Sequence, residues 1–135
     1  MVKIQHHNFD QIVQNFTRMG TMQSRQLVWD YINAMPTMYF VQCGRQSSPV
    51  PWIVFEEEIP MAMVFTNYEH ALKTAQAFME DDEYVRVIGL PTNAASMYVI
   101  ALAAQGVQQV CFNHGPKRFD APVDEVFMTL SAMTR

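Results

Sequence analysis

The chain has 135 residues, of which 50% are hydrophobic and 16% are charged, and its formal net charge is −4. This length corresponds to one domain with a substantial core, and the composition excludes a disordered chain and a coiled coil. Because the nine Lys and Arg residues are scattered and the net charge is acidic, the composition argues against a general nucleic-acid-binding protein.

Two cysteines, Cys43 and Cys111, lie in apolar, strand-like segments. Such residues are typical of reduced, buried thiols in a cytosolic protein, and a disulfide between them would require neighbouring strands. The sequence shows no signal peptide, and no apolar run approaches the roughly 18 residues that span a bilayer. We therefore expect a cytoplasmic protein that does not associate with a membrane.

Residues 1–36 are predicted to form a helical hairpin. The apolar positions of its first helix follow the i, i+3, i+4, i+7 spacing of one buried face; they are Phe9, Ile12, Val13 and Phe16. Gly20 is placed to end this helix, and the second helix begins near Thr21. The second helix must end before Pro36, because the residue that precedes a proline is pushed out of the helical region.

The pattern changes to short β-rich segments after Pro36. Strands are predicted over residues 37–43, 52–55 and 61–65, and residues 45–51 are predicted to be a polar, proline-bearing turn. The short connections favour an antiparallel meander of these three strands.

Helices and strands alternate in the rest of the chain. A helix capped by Thr66 and Glu69 follows the third strand, and a fourth strand over residues 84–88 precedes a helix that ends at Gly106. A fifth strand covers residues 107–112, and a final helix is predicted to begin at residues 120–122. Strand, helix, strand, helix, strand over residues 61–112 predicts two right-handed β-α-β crossovers between parallel neighbours.

The predicted fold class is therefore α+β. We expect a five-stranded mixed sheet with an N-terminal helical hairpin, an antiparallel meander, two β-α-β crossovers and a C-terminal helix. Residues 1–135 are predicted to form a single domain, in which residues 37–135 supply the sheet and its covering helices.

The loops at the carboxyl edge of the predicted sheet are the candidate ligand site. Helix N-termini there offer unpaired N–H groups to an anion, and a histidine and two basic residues follow the last strand. The candidate ligand-binding residues are Asn67, Thr92, Asn93, Asn113, His114, Lys117 and Arg118. The same residue types also serve as caps and turn residues, so a purely structural role stays open for them.

Enzyme signatures are missing from the sequence. It contains no glycine-rich phosphate loop, no G-x-S-x-G elbow and no histidine spacing typical of a metal site. We therefore assign no catalytic residue, no metal ligand and no cofactor. One enzymatic alternative stays open, a thiol enzyme in which His114 activates Cys111.

Three segments of the chain resemble the SseB N-terminal domain family, the "enhanced serine sensitivity" type. They are residues 60–71 (P-M-A-M-V-F-T-N-Y-E-H-A), residues 106–116 (G-V-Q-Q-V-C-F-N-H-G-P) and residues 119–126 (F-D-A-P-V-D-E-V). The likeness covers residues 37–130, although the family's Asn-Pro-Gly is replaced here by Asn113-His114-Gly115-Pro116. The resemblance implies a small α+β module without established catalytic residues.

Three functions follow as hypotheses. The first is a non-enzymatic, cytoplasmic bacterial module that binds a protein partner or itself, because the weakly charged chain has more apolar residues than a monomer needs to bury. Its eleven methionines suggest a partner groove near the helix ends at Met19, Met22, Met35 and Met38. The second is a sensor of a small anion or metabolite at the carboxyl-edge loops, and the third is the thiol enzyme.

Overall fold

The structure is a computed structural model that describes the backbone of residues 6–133 and the side chains of residues 9–130. Within this range the fold is mixed α+β, with five helices and seven strands. The helices are α1 (His6–Met19), α2 (Met22–Ala34), α3 (Tyr68–Phe78), α4 (Thr92–Ala104) and α5 (Val123–Met133). The strands are β1 (Thr37–Arg45), β2 (Ser48–Pro51), β3 (Ile53–Glu56), β4 (Ile59–Phe65), β5 (Tyr84–Pro91), β6 (Gln109–Phe112) and β7 (Phe119–Pro122).

Helices α1 and α2 pack against each other as the predicted hairpin. Gly20 lies between them with φ +64°, a conformation that glycine adopts without a steric cost. The Thr21 side chain accepts a hydrogen bond from the backbone N–H of Ser24, and the Ser24 side chain accepts one from the backbone N–H of Thr21. This reciprocal cap fixes the start of α2.

Strand β1 pairs with three other strands of the sheet. It pairs antiparallel with β5 over eight residue pairs, from Thr37 opposite Pro91 to Gly44 opposite Tyr84. Since a strand has only two hydrogen-bonding edges, β4 and β2 share the other edge of β1. Tyr39 and Phe40 pair with β4, and residues 42–45 pair with β2.

Strands β1 and β4 therefore diverge, and the short strands β2 and β3 lie in the fork between them. Strand β3 pairs antiparallel with the first half of β4. On its other edge, β4 pairs parallel with β6, and β6 pairs antiparallel with β7.

The prediction of five strands was wrong, because β2 and β7 were not expected. Strand β2 lies in the segment that was predicted to be a turn. Its two prolines are tolerated because the strand is short and pairs only with β1. Strand β7 lies where the last helix was predicted to begin. Phe119 and Ala121 are buried and Asp120 and Pro122 are exposed, which is the alternation of a strand.

The predicted neighbours in the two crossovers were also wrong. Strands β4, β5 and β6 do run in the same direction, but β1 lies between β4 and β5. Only β4 and β6 are parallel neighbours. The sequence marks where strands occur, whereas their order depends on which faces and edges pack together.

The two faces of the sheet are covered unequally. Helices α1, α2, α4 and α5 lie on one face, over a core whose largest buried side chains include Phe9, Ile32, Phe40, Val64, Phe112 and Leu130. Helix α3 covers the other face, where Ala71 and Ala75 pack on a smaller cluster that contains Met63, Phe65 and Cys111. Met38 belongs to the large core and is 1% exposed, so it cannot line the predicted methionine groove.

No helix among the described residues is long and apolar enough to cross a bilayer.

Candidate functional site

The carboxyl ends of β4 and β6 lie side by side, because residues 61–64 pair in parallel with residues 109–112. The loops that follow these two strands therefore meet. Asn113 joins them: its Oδ1 accepts a hydrogen bond from the Thr66 N–H at 2.9 Å, and its Nδ2 donates to the Thr66 Oγ1 at 2.9 Å. Asn113 is 2% exposed and has φ +54°, a conformation that asparagine tolerates better than most residues.

Asn67, one of the predicted ligand residues, caps helix α3. Its Oδ1 accepts a hydrogen bond from the backbone N–H of His70 at 2.9 Å. The prediction that Thr66 caps this helix was wrong by one residue, because the Thr66 side chain bonds to Asn113 instead.

Two histidines connect α3 to the loop after β6. The Nε2 of His70 lies 2.9 Å from the carbonyl oxygen of His114. Since a carbonyl only accepts, this nitrogen carries a proton and donates. The His114 ring packs edge-on against Phe78 at 5.2 Å. Burial is the main cause that lowers the pKa of His114 below its usual value, and the positive charge of Arg118 is the next largest cause. Both effects favour the neutral imidazole.

These residues surround an open cleft of about 270 Å³. Its lining is Asp10, His70, Asn113, His114, Gly115, Pro116 and Lys117. The cleft carries one carboxylate and one ammonium group beside two imidazoles, so its charge is mixed rather than positive. A wider groove of about 610 Å³ runs along α1 and shares Pro116 and Lys117 with the cleft.

The predicted site residues are only partly brought together. Asn113, His114 and Lys117 line the cleft, and Asn67 lies next to it as the cap of α3. Thr92 and Asn93 follow β5, which β1 separates from β4. The Thr92 hydroxyl donates to the Met35 carbonyl at 3.3 Å, and the Asn93 Oδ1 accepts from the Ala94 N–H at 2.9 Å.

Arg118 makes ion pairs with carboxylates on two strands. Its guanidinium donates to both carboxylate oxygens of Glu56, at 2.9 and 3.0 Å, and to both of Asp120, the closest at 2.9 Å. Hydrogen bonds to Asp120 are the main reason that the pKa of Arg118 is raised above its usual value. Arg118 is therefore held by two carboxylates, and it is not among the residues that line the cleft.

Sequence reasoning missed Asp10 and His70. Asp10 was assigned only to the opening of the first helix, and His70 was named only in the segment that resembles the SseB family and as a histidine without metal-ligand spacing. The available signal was the position of His70 three residues after Asn67, because the first turn of a helix lies beside the loop that precedes it.

Cys111 is fully buried, and burial is the main cause that raises the pKa of its thiol far above the usual value. Cys43 is half-buried, and burial raises the pKa of its thiol as well. Both cysteines are free, and β4 separates their strands. Among the described residues, no group of three or more His, Cys, Asp or Glu side chains is arranged to hold a metal ion.

A second surface feature lies on the outer side of α4 and α5. Four large apolar side chains are exposed there: Met97, Ile100, Phe127 and Met128. Ile100 and Phe127 also line a groove of about 200 Å³, together with Val99, Ala103, Val123 and Asp124. We call these exposed residues and their groove the α4–α5 face.

Sequence reasoning treated α4 only as scaffold. The missed signal was that no charged residue occurs from Thr92 to Gln105, whereas a surface helix normally has a charged outer side.

No protein-family model matches this chain, and no curated protein matches it significantly. The resemblance to the SseB N-terminal domain family therefore depends on the three quoted segments alone.

Proposed function

We propose that this chain is a non-enzymatic protein-interaction module whose binding surface is the α4–α5 face. The observation that carries this proposal is an uncharged helix at the protein surface. Met97 is 65% exposed and Met128 is 70% exposed, although an apolar helix is usually buried on all sides. An apolar groove with a charged neighbour is typical of a surface that binds another protein.

The shape of the groove favours a helical partner segment. Two packed helices present a groove into which the apolar side of an amphipathic helix fits. Burying one large apolar side chain contributes about 1.5–3 kcal/mol, so each anchor changes the dissociation constant by about one to two powers of ten. Asp124 lies in the groove lining, so the partner segment is expected to carry a Lys or Arg beside its apolar residues.

The test compares the wild-type chain with Ile100→Glu and with a matched control, Leu27→Glu. Leu27 is 51% exposed on α2, so the control adds the same charge at an apolar position outside the proposed surface. The three proteins are immobilised, and the proteins retained from a native cell extract are quantified. The retained partner is then purified and titrated against each variant.

We expect one partner that the wild type and the control retain equally. Its affinity for Ile100→Glu falls about tenfold to a hundredfold, which corresponds to losing one buried apolar anchor. Equal affinity of the partner for all three proteins, with unchanged thermal unfolding, overturns the proposal.

A second function is favoured by one observation, the mixed charge of the cleft beside Asn113. Asp10 and Lys117 place opposite charges in a cleft of about 270 Å³ that also contains His114. This arrangement suits a small metabolite that carries a positive and a negative group better than it suits a phosphate.

Thermal-shift screening with amino acids, nucleotides and phosphates tests this alternative. A ligand at 100 times its dissociation constant stabilises the protein by about 2.7 kcal/mol. A rise in the unfolding temperature that disappears in Lys117→Ala supports binding in the cleft. If no compound raises the unfolding temperature, this alternative function is ruled out.

A further inference from the structure

Strand β5 forms an edge of the sheet. It pairs with β1 along its full length of eight residues, and no second strand among the described residues pairs with it. Every other backbone N–H and C=O group of β5 therefore points outward from the sheet. Such a row of unpaired groups is a template for another strand.

The residues of β5 are those of an interior strand. Val85 and Val87 pack on the cluster beneath α3, while Ile88 and Leu90 pack on the large core of the opposite face. Strands that are apolar on both faces normally have neighbours on both edges. The usual protection of an edge is sparse here, because β5 contains a single charged residue, Arg86, and its proline is the last residue.

Helix α4 leaves an uncharged side above this edge. Helix α4 contacts β5 and β1, and α5 packs on one side of it through Val99 and Ala103. The opposite side carries Ala94, Tyr98 and Ala101, which follow the i, i+4, i+7 spacing of one helical stripe. Ala101 is exposed, and small residues of this kind allow a second helix to approach closely.

We propose that two copies of this chain pair β5 with β5 antiparallel around a two-fold axis perpendicular to the sheet, forming one continuous sheet. This operation keeps both α4 helices on the same face. With strands about 4.8 Å apart and α4 lying over β5 and β1, the two α4 axes are about 10 Å apart. That spacing matches the distance at which helices pack, about 8–10 Å, so strand pairing and helix packing are satisfied together.

Charge complementarity favours a second copy as the occupant of this edge. The segment just before β5 is the exposed acidic run of residues 80–83. Residues that face each other in an antiparallel pair lie on the same face of the sheet, so a pair centred on Val87 places Tyr84 opposite Leu90 of the other copy. The acidic run then lies beside the N-terminus of the other copy's α4. The N-cap residue of this helix is Pro91, whose side chain makes no capping hydrogen bond. Helix N-termini attract negative charge, and both ends of the pair gain this contact.

The size of the contact is also sufficient. Eight strand residues extend about 27 Å, and a sheet with a helix on each face is about 30 Å thick. The edge therefore offers about 800 Å² per copy, the usual value for a specific interface.

Sedimentation velocity of the full chain over about 1–200 μM tests the dimer. The wild-type mass is expected to rise from 15.5 kDa toward twice that value with concentration. Ala101→Glu brings like charges together across the axis and is expected to raise the dissociation constant at least about tenfold. Hydrogen exchange of the β5 amides should slow as the wild-type concentration increases.

The matched control is Ile100→Glu, the neighbouring residue on the side of α4 that faces α5. It is expected to leave the dimer intact while removing the partner binding described above, and Ala101→Glu is expected to do the reverse. This separates failure of the dimer from failure of the proposed function. A wild-type mass of 15.5 kDa at every concentration overturns the dimer. A dimer lost in Ile100→Glu but kept in Ala101→Glu also overturns it, because the copies then associate through the α4–α5 face.

Discussion

Asn113 and Thr66 hold the ends of two parallel strands together through two hydrogen bonds of 2.9 Å, although the residues are 47 positions apart in the chain. Both residues are buried, with 2% of Asn113 and 7% of Thr66 exposed. The pair therefore determines how the loops that form the cleft meet, and its removal leaves unsatisfied polar groups.

We expect Asn113→Gly and Asn113→Ala to differ in a defined way. Both lose the two side-chain hydrogen bonds, which lowers the free energy of unfolding by about 1–3 kcal/mol. Only the alanine must also hold φ at +54°, which adds about 1–2 kcal/mol to its cost. Urea unfolding measures both values. Equal stability of the two variants would show that the left-handed backbone at this position costs nothing.

Glu125 connects α5 to α2 and should make stability depend on pH. Its carboxylate accepts hydrogen bonds from Arg25, at 2.9 and 2.7 Å, and from the Trp29 indole N–H. The hydrogen bonds from Arg25 are the main reason that the pKa of Glu125 lies below its usual value. Because a depressed carboxyl pKa stabilises the charged form, this contribution is present above the unfolded-state pKa of about 4.3 and is lost as the pH falls further.

The matched variant for this prediction is Glu125→Gln. About a third of the Glu125 side chain is exposed, so we expect the variant to be less stable by only about 1 kcal/mol at pH 7. The difference should shrink as the pH falls below about 4. Thermal unfolding of both proteins from pH 7 to below about pH 4 measures the stability difference. A difference that stays constant with pH contradicts the prediction.

His114 should destabilise the protein in mild acid. Its pKa is lowered mainly by burial, so the unfolded chain binds a proton at a higher pH than the folded chain does. Stability is therefore expected to fall as the pH drops below the unfolded-state pKa of about 6.5 and toward the lower folded value. His114→Gln should lose less stability over this window. An NMR titration that places the His114 pKa above 6.5 would refute the assignment.

Cys111 should be inert to a thiol reagent in the folded protein. It is fully buried and the pKa of its thiol is raised by that burial, so the reactive thiolate is scarce. We expect slow labelling through the half-buried Cys43, which Cys43→Ser removes and Cys111→Ser leaves unchanged. Rapid labelling of Cys111 under native conditions would instead favour the thiol-enzyme alternative.

The site was predictable in part. The sequence predicted that β4 and β6 run in the same direction but not that they are neighbours, and Asn113, His114 and Lys117 line a cleft beside the carboxyl ends of these strands. Arg118 could not be placed from sequence, because its partner Glu56 lies 62 residues earlier and is reached only through the β6–β7 hairpin. The α4–α5 face was missed because the exposed fraction of an apolar residue depends on what packs around its helix.

The sequence by itself determined where the chain forms helices and most of its strands. Gly20, Thr21 and Pro36 act on the backbone within a few residues, so the end of α1 and the bounds of α2 follow from local sterics and capping. Only the tertiary structure decided that β1 lies between β4 and β5, which leaves β5 at an edge. Strand order follows from which side chains are buried together and which backbone groups are left to pair, and both depend on contacts between distant parts of the chain.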